Sequence, residues 1–289
     1  MPSWRVPAAR DSHLLDGVML LWFIEAALAA VWVAIDIQWT PEAPVMKWGF
    51  AIVTLYTGPL GALLYAVSCR EPLPGTHEAF VAVKWRQVVG STMHCVAGDG
   101  IGILLAATVT ALLKLPMGLD LIAEYVAGFL FGWTIFQALF MKDMVGGSYR
   151  QSLRATFLPE LFSMNGVMAG MAAVMVPWMT RDPQAMEPSS PRFWFTMSIA
   201  LTAGFLVAYP INWWLVDRGL KHGMMTVRPE GKPVPHAAGL VLAGHVMQTR
   251  ASAAELARMA AITFVVLAIG IAIAGVAGNL SMRPGQMSM

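Results

Sequence analysis

In a chain of 289 residues dominated by apolar side chains, several groups able to do chemistry crowd into one short stretch, His94-Cys95-Val96-Ala97-Gly98-Asp99. On a helix turning ~100° per residue, Cys95 and Asp99 stand one turn apart on one face, and His94 projects roughly 100° away. Thiolate and imidazole favour soft or borderline ions such as Cu(I) or Zn, whereas carboxylate favours harder ones. One helix gives only two ligands to one face, so other elements must complete a shell. The plainer alternative makes Cys95 a small apolar filler and His94 a hydrogen-bonding core residue.

A second pattern follows. Glu160, Met164, Met168, Met171 and Met175 recur at spacings of 4, 4, 3 and 4, which puts all five within roughly 60° of one helical face. A carboxylate thus leads into a row of thioethers, soft ligands suited to Cu(I). The competing reading is packing, because Met fills irregular core gaps. Glu25 and Glu124 complete the ionisable groups inside apolar runs. Each such group costs about 2.5 to 3.5 kcal/mol to insert, so it turns inward and becomes a functional candidate. Glu124 lies near the end of its run, where a carboxylate can snorkel. The candidate metal set is therefore His94, Cys95, Asp99, Glu160, Met164, Met168, Met171 and Glu25, with copper or another soft ion as the expected cofactor.

What must position these groups is a set of membrane helices. The chain is 57% hydrophobic and 12% charged, about half the charged share of a usual soluble domain. Apolar runs near the ~20 residues needed to cross hydrocarbon predict an all-α polytopic bundle of about seven spans. They are Gly17 to Ile37, Trp48 to Val67, Val88 to Leu113, Leu121 to Met141, Ala155 to Met179, Phe193 to Val216 and Met259 to Gly278. On this division, alternate connections hold fourteen Lys and Arg on one side and five on the other. The positive-inside rule then puts the N-terminus and the 217–258 loop in the cytoplasm and the C-terminal tail outside. Trp39, Trp48, Trp178 and Trp194 fall at the expected outer ends, and Trp85, Trp213 and Trp214 at the inner ones. Glycine pairs four apart, Gly98 and Gly102, Gly128 and Gly132, Gly166 and Gly170, mark spans three, four and five as the tight centre. In the 217–258 loop, Ala237 to Met247 is apolar but too short to cross, so it reads as a surface or re-entrant helix.

A net charge of +2 without a basic stripe argues against a nucleic-acid partner. Two cysteines, Cys69 and Cys95, give neither a disulfide framework nor a zinc knuckle. His94 is the only histidine in an expected span, which disfavours a bis-histidine haem. The last span lacks a Schiff-base lysine, and nucleotide-binding, zincin and serine-nucleophile motifs are absent. These features point away from an enzyme.

Residues 85–226 resemble the bacterial membrane family known as domain of unknown function 4396. The resemblance rests on Gly90-Ser91-Thr92-Met93-His94-Cys95-Val96-Ala97-Gly98, on Pro159-Glu160 with Ser163-Met164-Asn165 and Met168-Ala169-Gly170-Met171, and on Phe193-Trp194 with Ala208-Tyr209-Pro210-Ile211-Asn212-Trp213-Trp214. It implies, in many relatives, a second cysteine four residues after the first and an acid four further on; this chain has Asp99 and Ile103 there. It also implies a loose association with copper or heavy-metal handling and a bacterial inner membrane. The expectation is a single integral-membrane domain over 1–289, with a family-like core at 85–226. It would lie in the lipid bilayer and bind or translocate a cation, copper favoured. The alternative is a structural or assembly subunit, as a homo-oligomer or with a membrane-complex partner.

Overall fold

Length decides which apolar segments can cross hydrocarbon as helices. The computed structural model describes residues 9–140, 142, 147–227, 233–234 and 251–285. In chain order its helices are α1 (Ala9–Asp36), α2 (Pro44–Thr57), α3 (Pro59–Ser68), α4 (His77–Val81), α5 (Lys84–Leu112), α6 (Met117–Phe131), α7 (Tyr149–Arg181), α8 (Pro191–Asp217) and α9 (Ala253–Ala277). A π-helix, Gly132–Leu139, prolongs α6. Among the described residues, six helices of 23 to 33 residues are long and apolar enough to cross a membrane. The protein is an all-α membrane bundle, and six of the seven expected spans are long helices. The apolar segment Ala237 to Met247 lies outside the described residues.

The remaining expected span, Trp48 to Val67, has a different form. Gly58, at φ +60°, and Pro59 break it into α2 and α3, and α3 runs back along α2. A Cβ on Gly61 would sit 2.7 Å from Thr54 Cα, and the Phe50 and Tyr65 rings are 5.8 Å apart. Tyr65 Oη reaches the start of the hairpin, donating to Asp36 Oδ2 at 2.6 Å and accepting from Thr40 Oγ1 at 2.8 Å. Arg70 then forks onto Asp36 at 2.8 and 3.1 Å. In one straight helix Thr40 and Tyr65 would stand roughly 37 Å apart at ~1.5 Å per residue. The hairpin tip lies beside Ala26 and Trp22 of α1, roughly 15 Å from the end of that helix. Open backbone at this depth needs protein partners. Tyr56 supplies them: its Oη donates to Val96 O of α5 at 2.6 Å, and its carbonyl accepts from Ser198 Oγ of α8.

Because the hairpin returns to its own side, the start of α1 and the end of α9 share one end of the bundle; seven full crossings would have separated them. There Arg192 joins Asp16 at 2.9 Å and Asp182 at 3.0 Å. Nearby, Met117 N and Gly118 N donate to Met282 O and Leu280 O at 2.9 and 2.7 Å. The opposite end holds both legs of the hairpin and the turn after α8. Trp39 and Trp48 lie at that opposite end, with Trp85 and Trp213 rather than across the membrane from them.

The most enclosed helices are α5 and α7. The expected glycine strips explain how they fit. A Cβ on Gly102 would fall 2.8 Å from Gly128 Cα of α6, and one on Gly98 would fall 2.9 Å from Gly132 Cα. Gly170 meets α8 instead, where its Cβ would fall 2.8 Å from Gly204 Cα. Backbones approach closely here because lipid gives apolar helices no hydrophobic drive to associate, leaving contact itself as the attraction.

Cysteines introduced at Gln38 and Arg70 are expected to react with an impermeant maleimide from the same side of the membrane, and one at Lys114 from the other. A transmembrane α2–α3 would separate Gln38 from Arg70. Native Cys69 and Cys95 are both buried and leave the background low.

Candidate cation site in the bundle core

The structure brings the expected spans three and five together. Cys95, Asp99 and Glu160 each place one ligand atom within 4.8 Å of the others. Each of the three is 0% exposed. Cys95 and Asp99 come from one face of α5, and Glu160 from α7 just after Pro159, which interrupts the α7 hydrogen-bond ladder. Gly132 forms the floor. A Cβ there would lie 2.5 Å from Glu160 Oε1 and 3.3 Å from Asp99 Cγ, so no larger residue leaves room for both carboxyls.

A fourth group enters from outside the spans. Gly219, at φ +65°, turns the chain after α8, and residues 220–226 fold back as a buried segment. This carries Lys221 into the cluster, where its Nζ meets Cys95 Sγ and lies 3.2 Å from Glu160 Oε2. The Cys95 thiol also donates to Glu160 Oε2 at 2.8 Å. Burial alone would lower the Lys221 pKa, but Cys95 and Glu160 more than offset it and hold the ammonium above its ordinary value. Lys221 was invisible to a search for charges inside apolar runs, because it lies four residues beyond the end of α8. The glycine-flanked Leu220-Lys221-His222 between Gly219 and Gly223 was the readable sign of a tight apolar turn.

His94 adjoins the cluster on its own side, as the 100° offset requires. Gln137 Nε2, from the π-helix, donates to His94 Nδ1 at 3.2 Å and lies 3.4 Å from Cys95 Sγ. The wide π turn aims Gln137 inward, a common use of such turns at functional sites. The His222 ring is 5.7 Å from that of His94. Four buried atoms here have no hydrogen-bond partner: His94 Nε2, both Asp99 oxygens and Glu160 Oε1. Unsatisfied buried polar atoms are expensive, and a cation between the carboxyls or a proton shared by Asp99 and Glu160 would satisfy them.

The other sequence candidates divide. Met164, Met168, Met171 and Met175 are all buried at 1% exposure or less. Met164, one turn from Glu160, has its methyl beside Gly128, one turn from the Gly132 floor. Met171 packs against Gly204 of α8, and Met175 lies roughly 22 Å along α7 from Glu160 at ~1.5 Å per residue. Glu25 is exposed on α1 and is not part of the cluster. Glu124 is 0% exposed, and neither carboxyl oxygen has a hydrogen-bond partner. It therefore does not snorkel as its position near the span end suggested.

Residues 84–221 match the family described as Domain of unknown function (DUF4396), and this segment carries every member of the cluster and ends on Lys221. No curated protein and no solved structure matches the chain.

Removing one partner of a buried ion pair strands the other, at about 3 to 5 kcal/mol. Lys221→Met is therefore expected to lower unfolding stability in detergent by about that much. Adding Glu160→Gln should restore part of the loss. Thermal unfolding of the purified single and double variants checks both steps.

Proposed function

We propose, for a chain whose matched family carries no assigned activity, that this integral membrane protein binds a cation between α5 and α7, and that the ion is a soft metal, with copper favoured. The observation that carries the reading is the convergence of Cys95, Asp99 and Glu160 on one buried point with three carboxyl oxygens left without partners. Lys221 already places a positive charge there, so the site's chemistry is that of a cation acceptor with a tethered cation in residence. An arriving metal ion displaces the ammonium from Cys95 and Glu160, and Lys221 closes the site again when the ion leaves. Thiolate with the adjacent Met164 thioether suits Cu(I), and His94 adds a borderline nitrogen donor. The rest of the Met row continues along α7 toward the opposite end of the bundle and supplies further soft donors for translocation.

The doubled-back hairpin also supports a reading of the orientation. Six of the 19 Lys and Arg, namely Arg5, Arg10, Lys114, Arg181, Arg192 and Arg283, belong by position to the end holding the start of α1 and the finish of α9. The other thirteen belong to the hairpin end. By the positive-inside rule the hairpin end faces the cytoplasm, and both chain termini lie outside. This reading differs from the expected cytoplasmic N-terminus, which counted the hairpin as a crossing. Lys221 then enters the site from the cytoplasmic side of a cell membrane, and the exposed apolar faces of α1 and α9 contact lipid.

A second reading has its own support: two carboxyls meet over Gly132 beside a lysine, an arrangement that also serves proton transfer. Copper bound per purified chain, measured under reducing conditions with and without Cys95→Ala, Glu160→Ala and Met164→Leu, separates the two. Copper binding is expected to fall at least tenfold in Cys95→Ala and Glu160→Ala and less in Met164→Leu, with copper tolerance of the producing cells following the same order. Parent-like binding in all three variants would sink the metal reading.

A further inference from the structure

A second donor set lies outside the core cluster, at the mouth of the hairpin. Glu42 lies two residues before α2, Cys69 caps the end of α3, and His77 opens α4. Their ligand atoms all lie within 4.8 Å of one another, and the residues are 2%, 0% and 0% exposed. Cys69 had no paired cysteine to advertise it, and its partners are 27 residues before it and 8 after it in the sequence.

Each donor is held in a direction that serves a common ion. Glu42 Oε1 accepts from Ala43 N at 2.9 Å and Met225 N at 2.7 Å. That fixes the carboxyl and leaves Oε2, fully buried, without a hydrogen-bond partner. His77 Nε2 donates to Cys69 O at 3.0 Å, which sets the tautomer and leaves the lone pair on Nδ1. A ring N–H given to a backbone carbonyl is the usual support of a metal-binding histidine. Nδ1 accepts from Thr226 Oγ1 at 2.7 Å, the contact that an arriving ion would replace. Glu71 Oε1 accepts from Gly75 N at 2.8 Å, Thr76 N at 3.1 Å and His77 N at 3.2 Å, which anchors the start of α4. Lys47 stands at the rim, its Nζ on Gln38 O at 3.0 Å.

We propose that Glu42, Cys69 and His77 form a structural site for a borderline divalent metal of the Zn2+ class. One thiolate, one imidazole and one carboxylate are each zinc ligands, at bonds of about 2.0 to 2.3 Å. An imidazole beside the single thiolate makes the donor set borderline, which suits Zn2+. The ion joins the chain before the first hairpin leg to the chain after the second, and both to α4. It thereby holds the hairpin closed where its legs leave the membrane. This site shares no ligand with the core cluster and does not depend on the copper reading.

The test uses the full-length protein in detergent, stripped with a chelator and titrated with Co2+. The expected result is a thiolate-to-cobalt charge-transfer band that saturates at one equivalent and is displaced by Zn2+. The band persists in Cys95→Ala and is lost in Cys69→Ser and His77→Gln. Zn2+ also raises the melting temperature of the parent and of Cys95→Ala but not of His77→Gln. A parent without the band, a band lost in Cys95→Ala, or a band retained in Cys69→Ser overturns the proposal. A band lost in Cys95→Ala would move the metal to the core cluster, and the other outcomes leave the copper reading of that cluster untouched.

Discussion

A charge without a partner cannot be left in the dry centre of a helical bundle, and the arrangement of α5, α7 and the turn after α8 follows from that constraint. Three acidic side chains, Cys95, Asp99 and Glu160, occupy one buried volume. Moving an isolated ion into such a medium costs far more than a domain's whole margin of stability. Lys221 supplies the opposite charge, and the chain after α8 has to fold inward to deliver it. Small residues do the rest: Gly132 leaves space for the carboxyls, and Gly98 and Gly102 let α5 and α6 come close enough to shut the volume from lipid.

The same logic links the fold to its proposed chemistry. A site that already holds an ammonium is preorganised for positive charge and needs no large rearrangement to exchange one cation for another. Two oxygens of Asp99 and one of Glu160 remain available beyond those that Lys221 and Cys95 use. Under that proposal the thioether row would have two duties at once. Met164 borders the site, while Met171 fills the slot opposite Gly204, so packing and ligation are not exclusive along one helix face.

How much of this was legible in the sequence differed by element, for physical reasons. Spans such as α7 and α9 announce themselves because hydrocarbon thickness sets a minimum apolar length. Cys95 and Asp99 could be paired by face, since the turn per residue is fixed, whereas their meeting with Glu160 depends on how two helices pack. The hairpin was hidden, because twenty apolar residues from Trp48 to Val67 satisfy the same length rule whether or not the chain doubles back; only the Gly58-Pro59 pair in the middle signalled a break. Lys221 was hidden for the opposite reason: it lies outside any apolar run, and its burial comes from a turn that hydropathy does not register. Glu25 shows the limit of treating every intramembrane acid as inward-facing, since α1 is a peripheral helix with few neighbours to hide it.

The hairpin tip has one more implication, for the order in which the molecule is built. Tyr56 gives its hydroxyl proton to Val96 and takes a hydrogen bond on its carbonyl from Ser198, 142 positions later in the chain. At the moment the ribosome finishes α3, neither partner exists, and a broken helix at that depth has no means of satisfying its exposed backbone. The hairpin tip completes its contacts only once α5 and α8 have been translated, so the second apolar segment is made early and fully satisfied late.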